Sequence, residues 1–279
     1  MSVKKFAGAS AAGIASVVLV LGGAGVAGAL PGAGSLGSLT GSVGGDQCGT
    51  TVVTPEAMGD WATPRDETPA AIVAAGANDA DFGNGVLTFP EDSAEKPGTS
   101  LYNEVKIPLS DLLDDEGKAE VFQFDYTTSG QAPALQLRIV GANYNESMAE
   151  SDAASGAKHF ESGFATIVWS PAAADGSWKK ADTTGSDQFW VTRSIDGTET
   201  LPELNRGPGN MDTLENIIAR NPDATLIGYG VQQTRENDST DVKVDNFTIG
   251  CQVTDFEVTA PGPFGSLAGL FGSVGSSEQ

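Results

Sequence analysis

Cys48 and Cys251 are the only cysteines in the chain, and they bracket a β-rich stretch of about 200 residues. In an oxidising compartment two thiols most simply pair with each other. A bond between these two would fasten the first strand of the stretch to the last, with Cα atoms within ~7 Å. Closing so long a loop stabilises by roughly 5 kcal/mol in the chain-entropy account, as an upper figure. The alternative is two separate buried thiols. The bracketed stretch is long enough for one domain with a substantial core. A zinc site has no support, because His159 is the only histidine and there is no Cys-x-x-Cys.

Inside the bracket, short runs of Val, Ile, Phe, Tyr and Thr alternate with clusters of Gly, Asp, Asn and Pro, the texture of an all-β sandwich. From Ala119 to Thr127, Phe122, Phe124 and Tyr126 share one face while Gln123 and Asp125 take the other. Leu135, Leu137 and Ile139 likewise leave Gln136 and Arg138 pointing the opposite way. Further strands are predicted at Val86–Phe89, Leu101–Ile107, Phe164–Trp169, Gln188–Arg193, Thr225–Gln232 and Val242–Ile249. Period-two alternation packs one face of each strand on a core. One short helix interrupts the pattern: Asp212 with Glu215 reads as a capping-box start, Leu214, Ile217 and Ile218 follow at helical spacing, and Asn221-Pro222 stops it.

The flanks have a different composition. Residues 1–29 read as a secretory signal, with Lys4 and Lys5 before the apolar run Ile14–Leu21 and a small-residue Ala27-Gly28-Ala29 cleavage site. A retained N-terminal anchor is the alternative, although the run is short and glycine-rich for a ~20-residue span. Residues 30–47 and 258–279 form Gly/Ser-rich tails, expected to be disordered around a β-sandwich domain at 48–257. The tails are near-copies: Leu36, Leu39 and Val43 repeat the spacing of Leu267, Leu270 and Val274. On a helix these would form an apolar ridge, but their glycines oppose a helix without a partner surface. Low-complexity spacer is the other reading. Were the cysteines paired, both tails would leave the domain from neighbouring points and could act bivalently.

Net charge is −22, from 37 acidic and 15 basic side chains. Such a field repels nucleic-acid backbones, so no nucleic-acid partner is expected. It keeps an exported domain soluble and suits calcium capture by carboxylates.

Taken in order, Gly59-Asp60-Trp61, Phe122-Gln123-Phe124-Asp125-Tyr126, Gln188-Phe189-Trp190, Leu214 to Pro222, Val244-Asp245-Asn246-Phe247-Thr248-Ile249-Gly250 and Asp255-Phe256-Glu257 carry a resemblance. The pattern resembles bacterial exported jelly-roll domains similar to galactose-binding-like carbohydrate-binding modules. The resemblance covers roughly residues 48–257 and implies a jelly-roll β-sandwich. It also implies that Asp245, in the last Val-Asp-Asn step, helps hold a structural calcium. Calcium takes six to eight oxygen ligands, so Asp238 and Asp241 in the preceding acidic loop are the expected helpers. The plainer role for Asp245 is to hydrogen-bond a strand end.

Sugar recognition needs aromatic platforms beside polar groups, because a pyranose has an apolar face ringed by hydroxyls. Tyr102 and Trp190 supply candidate platforms, with Gln123, Asp125, Gln136 and Arg138 on the polar strand faces. Trp61, Tyr144 and Trp178 are further aromatic candidates, and core packing is the ordinary use of each. Enzyme signals are poor. His159 has no nucleophile elbow near it, and a carboxylate pair for glycoside hydrolysis is a matter of spatial separation rather than sequence. Asn145, Asn237 and Asn246 open glycosylation triplets that a bacterial source would leave unmodified.

The leading expectation is a secreted or cell-surface, non-catalytic module binding glycan or another envelope component. A structural protein that self-associates through its matched tails is the second. A secreted hydrolase with an unrecognised carboxylate site is the third.

Overall fold

Apolar side chains recurring at every second position build two sheets that face each other across one core. The computed structural model describes residues 48–64, 67–90, 98–144, 163–234 and 241–259. The first sheet holds β1 (Gly49–Val53), β4 (Ala71–Ala74), β5 (Gly85–Thr88), β7 (Phe122–Thr127), β10 (Lys179–Asp182), β13 (Lys243–Ile249) and β14 (Gln252–Phe256). The second holds β2 (Trp61–Ala62), β3 (Thr68–Pro69), β6 (Gly98–Pro108), β8 (Ala134–Val140), β9 (Ala165–Trp169), β11 (Trp190–Val191) and β12 (Thr225–Thr234). Strands are numbered in chain order. With one short α-helix among the described residues, the protein is an all-β sandwich.

The second sheet runs β11-β9-β8-β12-β6-β2 through antiparallel pairs, with β3 parallel to β6. In the first, β13 is the hub. One of its edges pairs with β7, and the other is shared by β5 at Lys243 and Val244 and β14 from Phe247 to Ile249. The change of partner coincides with a bulge between Asp245 and Thr248, where Asn246 takes φ 50°.

Cys48 and Cys251 are bonded, with Cα atoms 5.0 Å apart, and each precedes the strand that pairs with the other's. Those strands, β1 and β14, run parallel from Gly49↔Gln252 to Val53↔Phe256. This corrects one expectation. The chain enters the domain at the Cys48 end of the pair and leaves it at the Phe256 end, ~17 Å further along at ~3.3 Å per residue. The disulfide therefore does not bring the two exits together. The tails themselves, including Leu36, Leu39, Val43, Leu267, Leu270 and Val274, lie outside the described residues.

Aromatic rings join the layers. Trp61 of the second sheet packs edge-on against Phe256 at 5.2 Å and Phe247 at 5.7 Å, both from the first. Tyr229 on β12 stacks on Phe247 at 5.7 Å and meets Phe122 at 6.3 Å. Phe124 stacks on the far side of this group, 6.1 Å from Phe247. Ring pairs of this kind contribute about 0.5–1.5 kcal/mol each beyond area burial.

The eight predicted strand segments coincide with structure, most closely along β6, β8, β9, β12 and β13. The segment predicted over Gln188–Arg193 forms only the two-residue β11, and Ala119 makes an isolated bridge to Leu113 before β7 begins. The helix α1 (Leu214–Arg220) is capped by Thr213, whose hydroxyl accepts from Asn216 N, rather than by Asp212. Asp212 is drawn instead to Arg220 Nη2 at 2.7 Å and Asn216 Nδ2. Glu215, freed from a capping box, accepts from Ala119 N.

Removing the bond that ties β1 to β14 should loosen that edge of the first sheet. Cys48→Ser combined with Cys251→Ser should lower the melting temperature by roughly 10 °C. Scanning calorimetry checks this; an unchanged melt would mean the strand pair holds without its covalent tie.

Candidate functional site

Register along the second sheet sets Tyr102, Gly230, Gln136, Val168 and Trp190 in one row across five adjacent strands. Their strand neighbours Leu101, Leu135, Leu137, Ile167 and Val191 belong to the core, so this row lies on the sheet's outer face. Tyr102 and Gln136 are two strands apart, yet the Tyr102 hydroxyl donates to Gln136 Oε1 at 2.7 Å. The ring must therefore cross β12, and it crosses where Gly230 carries no side chain. A Cβ at Gly230 would stand 2.1 Å from the Leu101 carbonyl oxygen and 2.8 Å from Tyr102 Cα. Gln136 Nε2 in turn donates to Gln232 Oε1 at 2.6 Å, which extends the chain of hydrogen bonds along the face.

The neighbouring row is Glu104, Gly228, Arg138 and Thr166. The Arg138 guanidinium carbon lies 5.0 Å from the Tyr102 ring centroid and 5.2 Å from that of Phe164. Tyr144 donates its hydroxyl to the Phe164 carbonyl, tying down the segment that leads into β9. Tyr102 and Gln136 are only 2 % and 6 % exposed, so they form a fixed floor. Arg138 and Trp190 remain half-buried and reach the surface. Ser100, in the third row beside Gln232, is fully buried and its hydroxyl has no hydrogen-bond partner among the described residues.

Four of the six candidate ligand residues thus share one face, and two do not. Gln123 and Asp125 lie on β7, whose core-facing partners are Phe122, Phe124 and Tyr126. They occupy the outer face of the first sheet, on the other side of the sandwich from Gln136 and Arg138. Alternation shows which side of its own strand a residue takes, but not which sheet the strand joins. Asp125 accepts from Asn246 Nδ2 at 3.0 Å, which commits both groups to the β7–β13 bulge. Of the other aromatics, Trp61 is core, and Trp178 stacks on Phe82 at 3.9 Å while donating to Asp79 Oδ1. His159, Asn145, Asn237 and Asp238 lie outside the described residues.

Asp245 sits where β13 changes partners. Its side chain is fully buried; Oδ1 accepts from Phe256 N at 3.0 Å and Oδ2 has no hydrogen-bond partner among the described residues. Burial pushes its pKa up to about 7, opposed by hydrogen bonds from the backbone of Phe256 and Asn246 and assisted by Asp255 and Glu257. The plainer role, holding a strand end, is met. Of the two expected calcium helpers, only Asp241 lies among the described residues. Asp241 is exposed, two residues before β13 begins, and the extended strand carries it away from Asp245. Among the described residues no group of three or more His, Cys, Asp or Glu is arranged to hold a metal ion.

Two other acids are shifted the opposite way: the buried Asp79, which the sequence had not singled out, and the partly buried Asp212, which it had read as a helix cap. At Asp79 burial opposes ionisation, but Lys243 Nζ at 2.6 Å, Gly76 N and Trp178 Nε1 together hold the carboxyl below its ordinary pKa. At Asp212 burial is likewise overcome, by Asn216, Arg220 and Thr213. The Asp79–Lys243 pair joins segments 164 residues apart that no local pattern connects, whereas the partners of Asp212 lie in or beside the helix it precedes.

Comparison with known proteins found no matching family model, no matching characterised protein and no matching solved structure. The class therefore rests on the architecture: a two-sheet β-sandwich closed by a disulfide between its first and last strands. The bond accords with an oxidising compartment. Among the described residues no helix is long and apolar enough to cross a membrane.

The Gly230 crossing has a direct consequence. Gly230→Ala should destabilise by about 1–3 kcal/mol by forcing β12 off β6 or lifting Tyr102 from its floor. Urea unfolding checks it; wild-type stability would mean the two strands can move apart freely.

The acids define a pH profile. Because the folded pKa of Asp245 lies above its ordinary 3.8, the folded state holds more protons than the unfolded one between about pH 4 and 7. Its contribution to stability is full below that window and is lost as pH rises through about 7. Asp79 and Asp212 are shifted down, so their contributions are lost as pH falls below about 4. The melting temperature should therefore rise from pH 8 to pH 5 and fall in stronger acid. Asp245→Asn should flatten the rise, as read by thermal melts across that range.

Proposed function

We propose that this chain is a secreted or cell-surface, non-catalytic sandwich module that binds glycan or another envelope component through the outer face of its second sheet. The observation that carries the reading is the gathering of Tyr102, Gln136, Arg138 and Trp190 into two adjoining rows of that face. Amides fixed by a hydrogen-bond chain, a guanidinium and an indole at the surface are the groups a sugar needs: donors for its hydroxyls and a ring for its apolar face. The reading agrees with the resemblance to galactose-binding-like carbohydrate-binding modules. Its test is a glycan array probed with the full chain, then with Trp190→Ala and Arg138→Ala. Binding should weaken roughly tenfold or more in each variant, as expected for loss of an aromatic or arginine anchor. Binding that both variants retain would move the site elsewhere.

A bound calcium ion belongs to the same proposal as a structural element at Asp245, whose Oδ2 has no hydrogen-bond partner among the described residues. Calcium should raise the melting temperature relative to chelator, and Asp245→Ala should abolish the rise. Identical curves with and without calcium would remove it.

A further inference from the structure

We infer that Arg138 recognises a carboxylate, so that the glycan taken by this face is an acidic one, built with uronic-acid residues; the inference rests on the glycan reading above. The chain carries 37 acidic side chains against 15 basic ones, and its cations are in demand. Arg220 is saturated by Asp212, the Pro202 carbonyl and the Asn216 carbonyl. Lys243 is held by Asp79, and Lys179 lies 3.8 Å from Asp175. Arg138 differs. Its contacts are the rings of Tyr102 and Phe164, and among the described residues it makes no hydrogen bond and no ion pair.

The register accounts for this isolation. Glu104 is the acid in the Arg138 row, but Gly228 on β12 stands between them, which sets their backbones ~10 Å apart at ~4.8 Å per strand. Gln136, two residues along β8, is neutral and engaged by Tyr102 and Gln232. Ring packing uses the flat surface of a guanidinium and leaves its N–H edge to donate. Tyr102 is itself fixed by its hydrogen bond to Gln136, so the cation is held in place before a ligand arrives. A positioned, unpaired guanidinium presents two parallel N–H groups, and a carboxylate accepts both at once. Overall charge of −22 repels an acidic polymer at long range. Recognition of one would therefore be short-ranged and centred on Arg138, with little electrostatic steering.

The experiment compares three oligosaccharides of matched length on the full chain by calorimetric titration: oligogalacturonate, its methyl ester and the neutral galactose oligomer. The acidic form should bind roughly 10- to 100-fold more tightly than its methyl ester, the loss expected when a charge-assisted hydrogen-bond pair goes. Arg138→Gln should erase that preference while retaining residual binding of the neutral form, and Arg138→Lys should keep part of it. Thermal melts of both variants show that they fold. Equal affinity for acidic and esterified forms, or a preference that survives Arg138→Gln, overturns the inference and leaves the glycan reading standing. Absence of binding to all three, and to a broad glycan array, overturns both.

Discussion

The packing of Trp61 between the sheets is the contact on which the rest of the architecture depends. Its ring comes from the two-residue β2 at the edge of the second sheet, yet it meets Phe247 and Phe256 on two different strands of the first. Tyr229 and Phe122 continue the same cluster across the layers. Fixing Phe247 against Tyr229 sets where β13 lies over β12, and β12 is the central strand of the proposed binding face. The outer floor of Tyr102 and Gln136 is therefore placed by aromatic packing on the opposite side of its own strands. A truncation at Trp61 would open a cavity spanning both sheets, a change that typically costs 3–5 kcal/mol.

The first sheet resolves a different constraint, one strand edge serving two partners. The bulge at Asp245–Asn246 ends pairing with β5 and begins pairing with β14. Asp245 then supplies an acceptor for Phe256 N that a regular strand would have provided from its backbone. Nearby, the Glu257 carboxylate accepts from Asn84 N and fills the space left by Gly83, where a Cβ would lie 2.0 Å from Oε1. The seam between β5 and β14 is thus closed by acids: burial raises the pKa of Asp245, Asp255 and Glu257, and repulsion from neighbouring carboxylates adds to the rise at Asp245 and Glu257.

Much of this fold was legible in the sequence because its long strands alternate cleanly. Phe122, Phe124 and Tyr126, and Leu135, Leu137 and Ile139, announce both their strands and their buried faces. The disulfide was legible because two cysteines at the ends of one β-rich segment have a single simple partner each. The short strands were not, since two residues such as Trp61-Ala62 or Thr68-Pro69 carry no period, and their pairing is decided by tertiary contacts. Chain direction was also hidden: nothing in the spacing of Cys48 and Cys251 distinguishes a parallel from an antiparallel closing pair. The candidate site was half legible. Alternation found Gln123, Asp125, Gln136 and Arg138 as outward-facing, but only sheet membership separates the first two from the second. Arg220 and Asp79 escaped because a buried ion pair depends on a partner 8 residues away in one case and 164 in the other.

What remains distinctive is a sheet face whose central strand is thinned by Gly228 and Gly230 so that Tyr102 can lie across it, carrying an arginine that no acid pairs with among the described residues. Backbone amide shifts of isotope-labelled protein, followed during titration with an acidic oligosaccharide, report directly on which face meets ligand. The account predicts shifts concentrated at Gly228, Gly230, Arg138 and the Trp190 indole, with Gln123 and Asp125 on the opposite sheet unmoved. Shifts centred on Gln123 and Asp125, or an outer face of the second sheet that does not respond at saturating ligand, would contradict it.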